Sequence, residues 1–305
     1  MYIYKKKCTM HKSGFVNIIG KPNVGKSTLL NRFVGEKVSI TTNKKQTTRH
    51  RIHGILNKSN FQIVFSDTPG IIKPSYNLHE KMMKYVDSTF KDADIFLYVT
   101  EVTSDPKKFE FDNNYIIEKI KKNFKPTLII LNKIDNSNQI ELENNIMKWQ
   151  SFFSKAKIFP TAATENFGIT EILDEIVSIL PFNKPYFPKD YISDKPEKFF
   201  VSEIIREKIF LYYDKEIPYS TEVYIESFEE ETKVIKIRSI IFTSKESQKG
   251  IIIGTKGFAL KKIGHKSRIE IEKFLKKKVF LSIIVKIKKN WRDNNRTLEN
   301  FGYKI

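Results

Sequence analysis

Between residues 15 and 180 the chain alternates short apolar runs with longer amphipathic stretches. The runs are FVNIIG (15–20), FQIVFSDTPG (61–70), ADIFLYVT (93–100), PTLIILNKID (126–135) and AKIFPTAA (156–163). Apolar residues stand side by side in most of them, as parallel strands covered on both faces require. The intervening segments, KSTLLNRFV and ITEILDEIVSILP among them, carry apolar residues at helical spacing. This rhythm predicts an α/β domain with a doubly wound, mainly parallel sheet over residues 11–181.

Prolines 181, 185, 188 and 196 then crowd into PFNKPYFPKDYISDKPEK. The stretch 182–196 is expected to be an extended linker. Beyond it the pattern changes. KFFVSEIIREKIFLYY reads as a helix. YSTEVYIESF and TKVIKIRSIIFT alternate like antiparallel strands around an acidic turn. A strand-like apolar run, GIIIG, precedes a glycine-rich loop, a basic helix KSRIEIEKFLKK and a last strand VFLSIIVKIK. The order α-β-β-α-α-β over 197–305 predicts a smaller α+β domain. Residues 1–10 have no core pattern and are expected to be a disordered extension outside the fold.

Gly20, Lys21, Pro22, Asn23, Val24, Gly25, Lys26 and Ser27, followed by Thr28, fit GxxxxGK(S/T) between a predicted strand and a predicted helix. The glycines let backbone N–H groups turn inward around phosphate oxygens, and the helix N-terminus adds positive potential. Lys26 would reach the β- and γ-phosphates, and the Ser27 hydroxyl would ligate Mg²⁺. Asp67, Thr68, Pro69 and Gly70 end the next strong strand. Asp67 there would hold Mg²⁺ through water, and the Gly70 N–H would face a γ-phosphate. Gln46, Thr47, Thr48, Arg49 and His50 lie in a polar stretch without a clear core pattern, as a switch segment would. Thr48 is preferred to Thr47 as a further Mg²⁺ ligand. His50 and His53 are expected at the surface.

Asn132, Lys133, Ile134 and Asp135 close the run at 126–135 and point to the base. Guanine presents two adjacent donors, N1–H and N2–H₂, which one carboxylate accepts together. Adenine cannot offer that pair. Asp135 meets the need, Lys133 can lie along the base plane, and Asn132 can brace the loop. A small-metabolite kinase with the same phosphate loop would lack this NKxD. At the end of the run at 156–163 Ala162 stands where GTPases of this kind usually carry serine, so guanine O6 is expected to meet a backbone N–H, that of Ala163. Ile71 follows Asp67–Gly70 where a catalytic glutamine would orient water. No other residue presents itself as a general base, and hydrolysis by the chain alone is expected to be slow.

The net charge of +19 implies a polyanionic partner, and residues 245–296 hold most of it, with 16 Lys+Arg against 4 Asp+Glu. In that window Ile253, Gly254, Thr255, Lys256 and Gly257 form a GxxG loop, with Lys261 and Lys262 beyond it. In KH modules such a loop clamps about four nucleotides by their backbone. One cysteine, Cys8, excludes an internal disulfide and fits a reducing, cytoplasmic setting. No apolar run approaches the ~18 residues of a membrane span.

Together with QTTRH (46–50), IIREKI, EIPYS, IIIGTKG, KKIG and VKIKKNW, these motifs resemble Era-type GTPases, P-loop GTPases with a C-terminal KH domain, over residues 11–303. The resemblance implies GTP and GDP as ligands, Mg²⁺ as cofactor and slow GTP hydrolysis. It further implies binding near the 3′ end of the 16S ribosomal RNA, a part in maturation of the 30S subunit, peripheral membrane contact and a monomeric state. Two other readings stay open: a constitutive RNA-binding scaffold with a hydrolysis-impaired nucleotide site, and a basic surface for acidic lipid.

Overall fold

The computed structural model describes residues 11–102 and 117–304. The expected extension at 1–10, with Cys8, lies outside the described residues. Two compact units emerge, and they do not divide the chain at one point. The first contains the residues through Val38, Arg51–Gly70 and Val86–Asp194. The second contains Ser39–His50, Ile71–Tyr85 and everything from Lys195 onward.

In the first unit the chain runs β1 (Lys12–Gly20), α1 (Lys26–Val34), β2 (Ile52–Asn57), β3 (Phe61–Asp67), α2 (Asn77–Asp92, begun in the second unit), β4 (Ile95–Glu101), β5 (Thr127–Asn132), α3 (Gln139–Phe152), β6 (Lys157–Pro160) and α4 (Ile169–Ile179). The six strands order as β2-β3-β1-β4-β5-β6. All neighbours are parallel except β2, which runs antiparallel to β3 at the edge. The contiguous apolar runs are buried on both faces: Ile18, Ile19, Phe65, Phe96, Leu97 and Ile130 have no exposed surface. The ends of β1, β3 and β5 therefore open on one edge of the sheet, where such sheets bind ligands.

The proline-rich stretch expected as a linker is tied to this unit through residue 194. Gln62 accepts from the N–H groups of Tyr186 (2.7 Å) and Phe187 (3.0 Å), Ile55 N–H donates to Ile192 O (2.9 Å), and Ser193 Oγ donates to His53 O (2.6 Å). His53 is half-buried, its Nδ1 3.4 Å from Asp194. It is not a free surface residue.

The second unit holds α5 (Glu197–Tyr212), β7 (Thr221–Glu230), β8 (Val234–Thr243), α6 (Glu246–Ile253), α7 (Phe258–Leu275), β9 (Lys278–Ile287) and α8 (Asn295–Asn300). β7 and β8 form the expected antiparallel pair, and β9 joins β8 in parallel. Ile205, Ile209, Ile237, Ile241 and Ile271 fill the core between sheet and helices. The expected order α-β-β-α-α-β is the one observed, and within it the run GIIIG, strand-like when read alone, ends a helix. Gln248 Oε1 accepts from the N–H groups of Ser244 and Lys245 (3.1 Å each) and starts the turn. Helical phase then buries Ile252 and leaves Ile251 49% exposed. A run of three isoleucines carries no periodicity that separates helix from strand.

The polar segment around Gln46–His50 also differs from its expected character. Arg49 is 1% exposed. Its guanidinium donates to Glu222 Oε2 (3.0 Å), Thr221 O (2.8 Å) and Pro218 O (2.9 Å). Tyr303 Oη donates to the same Glu222 oxygen at 2.8 Å. Burial raises the Glu222 carboxyl above its usual range, with Arg49 and Arg206 pulling it back. Lys44 Nζ caps the end of α5, donating to Phe210 O (2.7 Å) and Tyr213 O and pairing with Asp214 (2.7 Å).

His50 is buried rather than superficial, its ring stacked on Tyr303 at 4.2 Å. Burial first, then the positive charges of Arg206, Lys195 and Arg49, hold its pKa well below 6.5. A depressed histidine contributes stability above its unfolded pKa and loses that contribution as pH falls. In urea titrations from pH 8 to pH 5, His50→Phe should therefore lose less stability than the wild type below pH 6.5. The slopes should differ by up to about one proton. Parallel curves would mean that His50 is protonated in the fold.

Candidate nucleotide site and candidate RNA loop

The phosphate loop takes its shape from close backbone approach. A Cβ at Gly20 would stand 2.2 Å from Val99 O, and one at Gly25, where φ is +98°, would stand 2.1 Å from Asn132 Nδ2. Asn23 also has a positive φ, 67°. Lys26 starts α1 and is buried, donating to Gly20 O (3.2 Å) and Lys21 O (2.7 Å). Burial lowers its pKa to about 8, with Asp67 pulling the other way.

Ser27 Oγ donates to Asp67 Oδ2 at 2.6 Å. Two hard oxygen donors thus meet beside the phosphate loop, a set that suits Mg²⁺. Thr68 Oγ1 anchors the strand end by donating to Ile18 O (3.1 Å). Gly70 packs so tightly on the loop that a Cβ would stand 2.5 Å from Pro22 backbone. Pro69 lies between them, and Ile71 opens the segment counted with the second unit.

Asn132 joins the phosphate loop to the base loop. Its Nδ2 donates to Val24 O (2.8 Å), and its Oδ1 accepts from Ala163 N–H (3.0 Å). The loop around Ala162 and Ala163 is thus braced without a serine hydroxyl, and in this geometry the N–H assigned to guanine O6 is engaged by Asn132. Lys133, at φ 62°, stretches its Nζ to Asn23 O (2.6 Å) and Glu101 (3.0 Å). Its stem lies between the two loops. Asp135 follows Ile134 on a short turn with its carboxylate exposed.

Two site residues escaped the sequence reading. Arg32, on α1, donates to Ala163 O (2.9 Å) and Thr164 O (2.6 Å) and fixes the base loop. Glu101, at the end of β4, orients Lys133. Neither sits in a motif. Only the register of β4 beside β5, which pairs Glu101 with Asn132, brings the second into place.

The expected switch residues have their partners in the second unit. Gln46 Oε1 meets His79 Nε2 (3.0 Å), Thr47 Oγ1 donates to Lys44 O (2.7 Å), and Thr48 is buried. His79 is held neutral, its pKa lowered to about 4 by burial and by Arg49 and Arg292.

The glycine-rich loop lies between α6 and α7. Gly254 (φ +69°) and Gly257 (φ +77°) flank Lys256, itself left-handed at φ 49°. A Cβ on Gly254 would stand 2.6 Å from Ala259 Cβ, so the turn needs glycine there. Thr255 and Lys256 are exposed at the tip, as are Lys261 and Lys262 on the first turns of α7, while Ile253 is half-buried behind them.

Two outcomes follow from the nucleotide geometry. Lys26, lowered to about 8 by burial, gains a polyanionic neighbour when a triphosphate binds. Guanine nucleotide binding near pH 8 should therefore take up as much as about half a proton. Calorimetry in buffers of different ionisation enthalpy reads that uptake, and Lys26→Met should remove it along with tight binding. Asp135→Asn should weaken GTP by at least about tenfold, the loss of a charge-assisted pair, and favour xanthosine triphosphate. Unchanged GTP affinity would remove Asp135 from base recognition.

Comparison with known proteins gives the chain's family and its domains. The family model described as "50S ribosome-binding GTPase" matches residues 15–133, and the KH domain model matches residues 216–292. The GTPase Era of Clostridium kluyveri is 45% identical over 296 residues, covering 97% of this chain and 100% of that protein. The chloroplastic GTPase ERA1 of Zea mays is 42% identical, covering 97% of this chain and 71% of its own length. A variant of Aquifex aeolicus Era bound to GDP and AlF4⁻ superposes with a TM-score of 0.90 at 35% identity, over 96% of this chain and 100% of that one. Era in complex with MgGDPNP and nucleotides 1506–1542 of 16S ribosomal RNA gives 0.90 at 35% identity, over 97% and 100%. A P-loop, an NKxD base loop and a C-terminal KH domain in one chain, with identity across nearly its whole length, make this protein a member of the Era family of GTPases, hydrolysing GTP to GDP.

Proposed function

We propose that the chain is a GTP-driven RNA-binding switch that grips small-subunit ribosomal RNA near the 3′ end of 16S rRNA and assists maturation of the 30S subunit. The observation that carries this reading is the GxxG loop at the head of a basic helix, in a chain that also holds a guanine nucleotide site. The loop presents a tight, glycine-permitted turn with Lys256 at its tip, suited to close approach by a phosphodiester backbone. The related Era complex with a 16S rRNA fragment supports the choice of RNA.

On the nucleotide side, Ser27 and Asp67 (through water) would hold Mg²⁺. The cation would offset charge on the phosphates. The remaining work belongs to the chain. Lys26 and the turned N–H groups of residues 20–27 bind phosphate, Asp135 reads guanine, Asn132 and Lys133 hold the base loop, and Gly70 senses the γ-phosphate. The Ile71 side chain can neither donate nor accept a hydrogen bond, which leaves backbone groups, the cation or a partner to orient the attacking water. We therefore expect slow turnover unless a partner supplies that group. We expect the protein to act as a cytoplasmic monomer, with peripheral membrane contact as a further property.

Replacing Thr255 and Lys256 together with Asp tests the RNA reading. Asp tolerates the left-handed conformation of Lys256, and both glycines remain. Single-stranded RNA binding should fall by well over about tenfold, a loss to be read against a variant that removes charge away from the loop, because charge alone also lowers affinity through counterion release. Intrinsic GTP hydrolysis should stay within about twofold. In a control, Lys276 and Lys277 are neutralised and the loop is kept. Equal losses in the two variants would reduce the loop to an ordinary turn on a basic face.

A further inference from the structure

Phe258 is the first residue of α7, directly after Gly257, and 67% of its surface is exposed. The next two residues, Ala259 and Leu260, pack against the core of the unit, so the helix is seated without it. Across the loop, Ile251 on the last turn of α6 is also 49% exposed. The GxxG turn thus carries bare apolar surface on both of its flanks.

The same region is rich in cations. Lys261 Nζ lies 5.9 Å from the centre of the Phe258 ring, and Lys262 Nζ lies 4.5 Å from that of Tyr212, at the end of α5. Tyr213 Oη donates to Ile252 O (2.7 Å) and ties α5 to the end of α6 beside the loop. Along α7, Lys261, Lys262, Lys266 and Lys273 are exposed. The acidic residues of the helix are already paired, Glu270 with Lys208 and Glu272 with Arg268. A ligand for this face must offer negative charge at regular spacing and, at one point, a flat apolar surface for the ring. Single-stranded nucleic acid has both, whereas a duplex hides its base faces and a simple polyanion has none.

We propose that Phe258 is the base-stacking residue of the RNA site: the GxxG loop holds the backbone while the ring takes the face of an adjacent unpaired base. This rests on the RNA reading of the loop and adds a residue and a mode of contact to it. Stacking makes no phosphate contact, so it should add affinity without changing the salt dependence.

The test uses the full chain and two probes, a single-stranded RNA oligonucleotide and inorganic polyphosphate of matched charge. Phe258→Ala should weaken RNA binding by roughly tenfold, with the slope of log affinity against log salt unchanged, and should leave polyphosphate binding as it was. Phe258→Trp should restore RNA affinity. Its fluorescence should be quenched by RNA and not by polyphosphate, read against Trp149 and Trp291, which are fully buried. If wild type binds RNA and Phe258→Ala binds it equally well, the stacking proposal falls while the RNA reading stands. Equal losses for RNA and polyphosphate would also overturn it, since the ring would then only be shaping the loop. Wild-type protein that binds RNA no better than polyphosphate would sink both.

Discussion

The nucleotide site depends on one side-chain amide. Asn132 reaches from the end of β5 to Val24 in the phosphate loop with its nitrogen and to Ala163 in the base loop with its oxygen. Both bonds are buried, and an amide that lost either partner would leave a desolvated group unpaired, at a cost of about 1–3 kcal/mol. The amide fits only because residue 25 is glycine, since any side chain would stand on its nitrogen. The candidate phosphate and base loops are thereby held in one geometry, and Arg32 and Lys133 strengthen it from either side. The missing serine at position 162 matters little once Asn132 and Arg32 hold that loop.

A different economy governs the second unit. Arg49, Glu222 and Tyr303 are brought together out of water, with Arg206 and Glu203 as a second buried pair. Buried ion pairs gain little net stability, but removing one partner leaves a charge without compensation. The arrangement therefore specifies where the segment around Arg49 can sit more than it strengthens the fold. Lys44 on the carbonyls ending α5 and His50 on Tyr303 do the same at neighbouring points. A segment that carries the expected switch threonines is thus registered against the KH-bearing part of the chain by groups with few alternative partners.

The KH loop works by the opposite physics. Its glycines and left-handed lysine expose backbone and charge to solvent, and its flanks leave Ile251 and Phe258 uncovered. Acidic neighbours on the basic helix are paired off inside the unit. Lys256, Lys261, Lys262, Lys266 and Lys273 are therefore exposed to a polyanion on the loop and the helix that follows it.

The sequence by itself determined the motif chemistry and most of the elements. Gly20–Ser27, Asp67–Gly70, Asn132–Asp135 and Gly254–Gly257 are local signals, because each needs particular residues at fixed offsets to build one turn. The parallel strands were legible for a related reason: burial on both faces demands unbroken apolar runs. Three things waited for the tertiary structure. GIIIG became a helix because a run of like residues has no period, and Gln248 and the buried Ile252 settle its phase. His50 and Arg49 went inside because their partners lie far along the chain, at Glu222 and Tyr303, where local polarity gives no sign of them. Arg32 and Glu101 joined the nucleotide site through helix packing and strand register. Such partners are decided by which surfaces meet in space, and a polar residue read alone does not disclose what it will face.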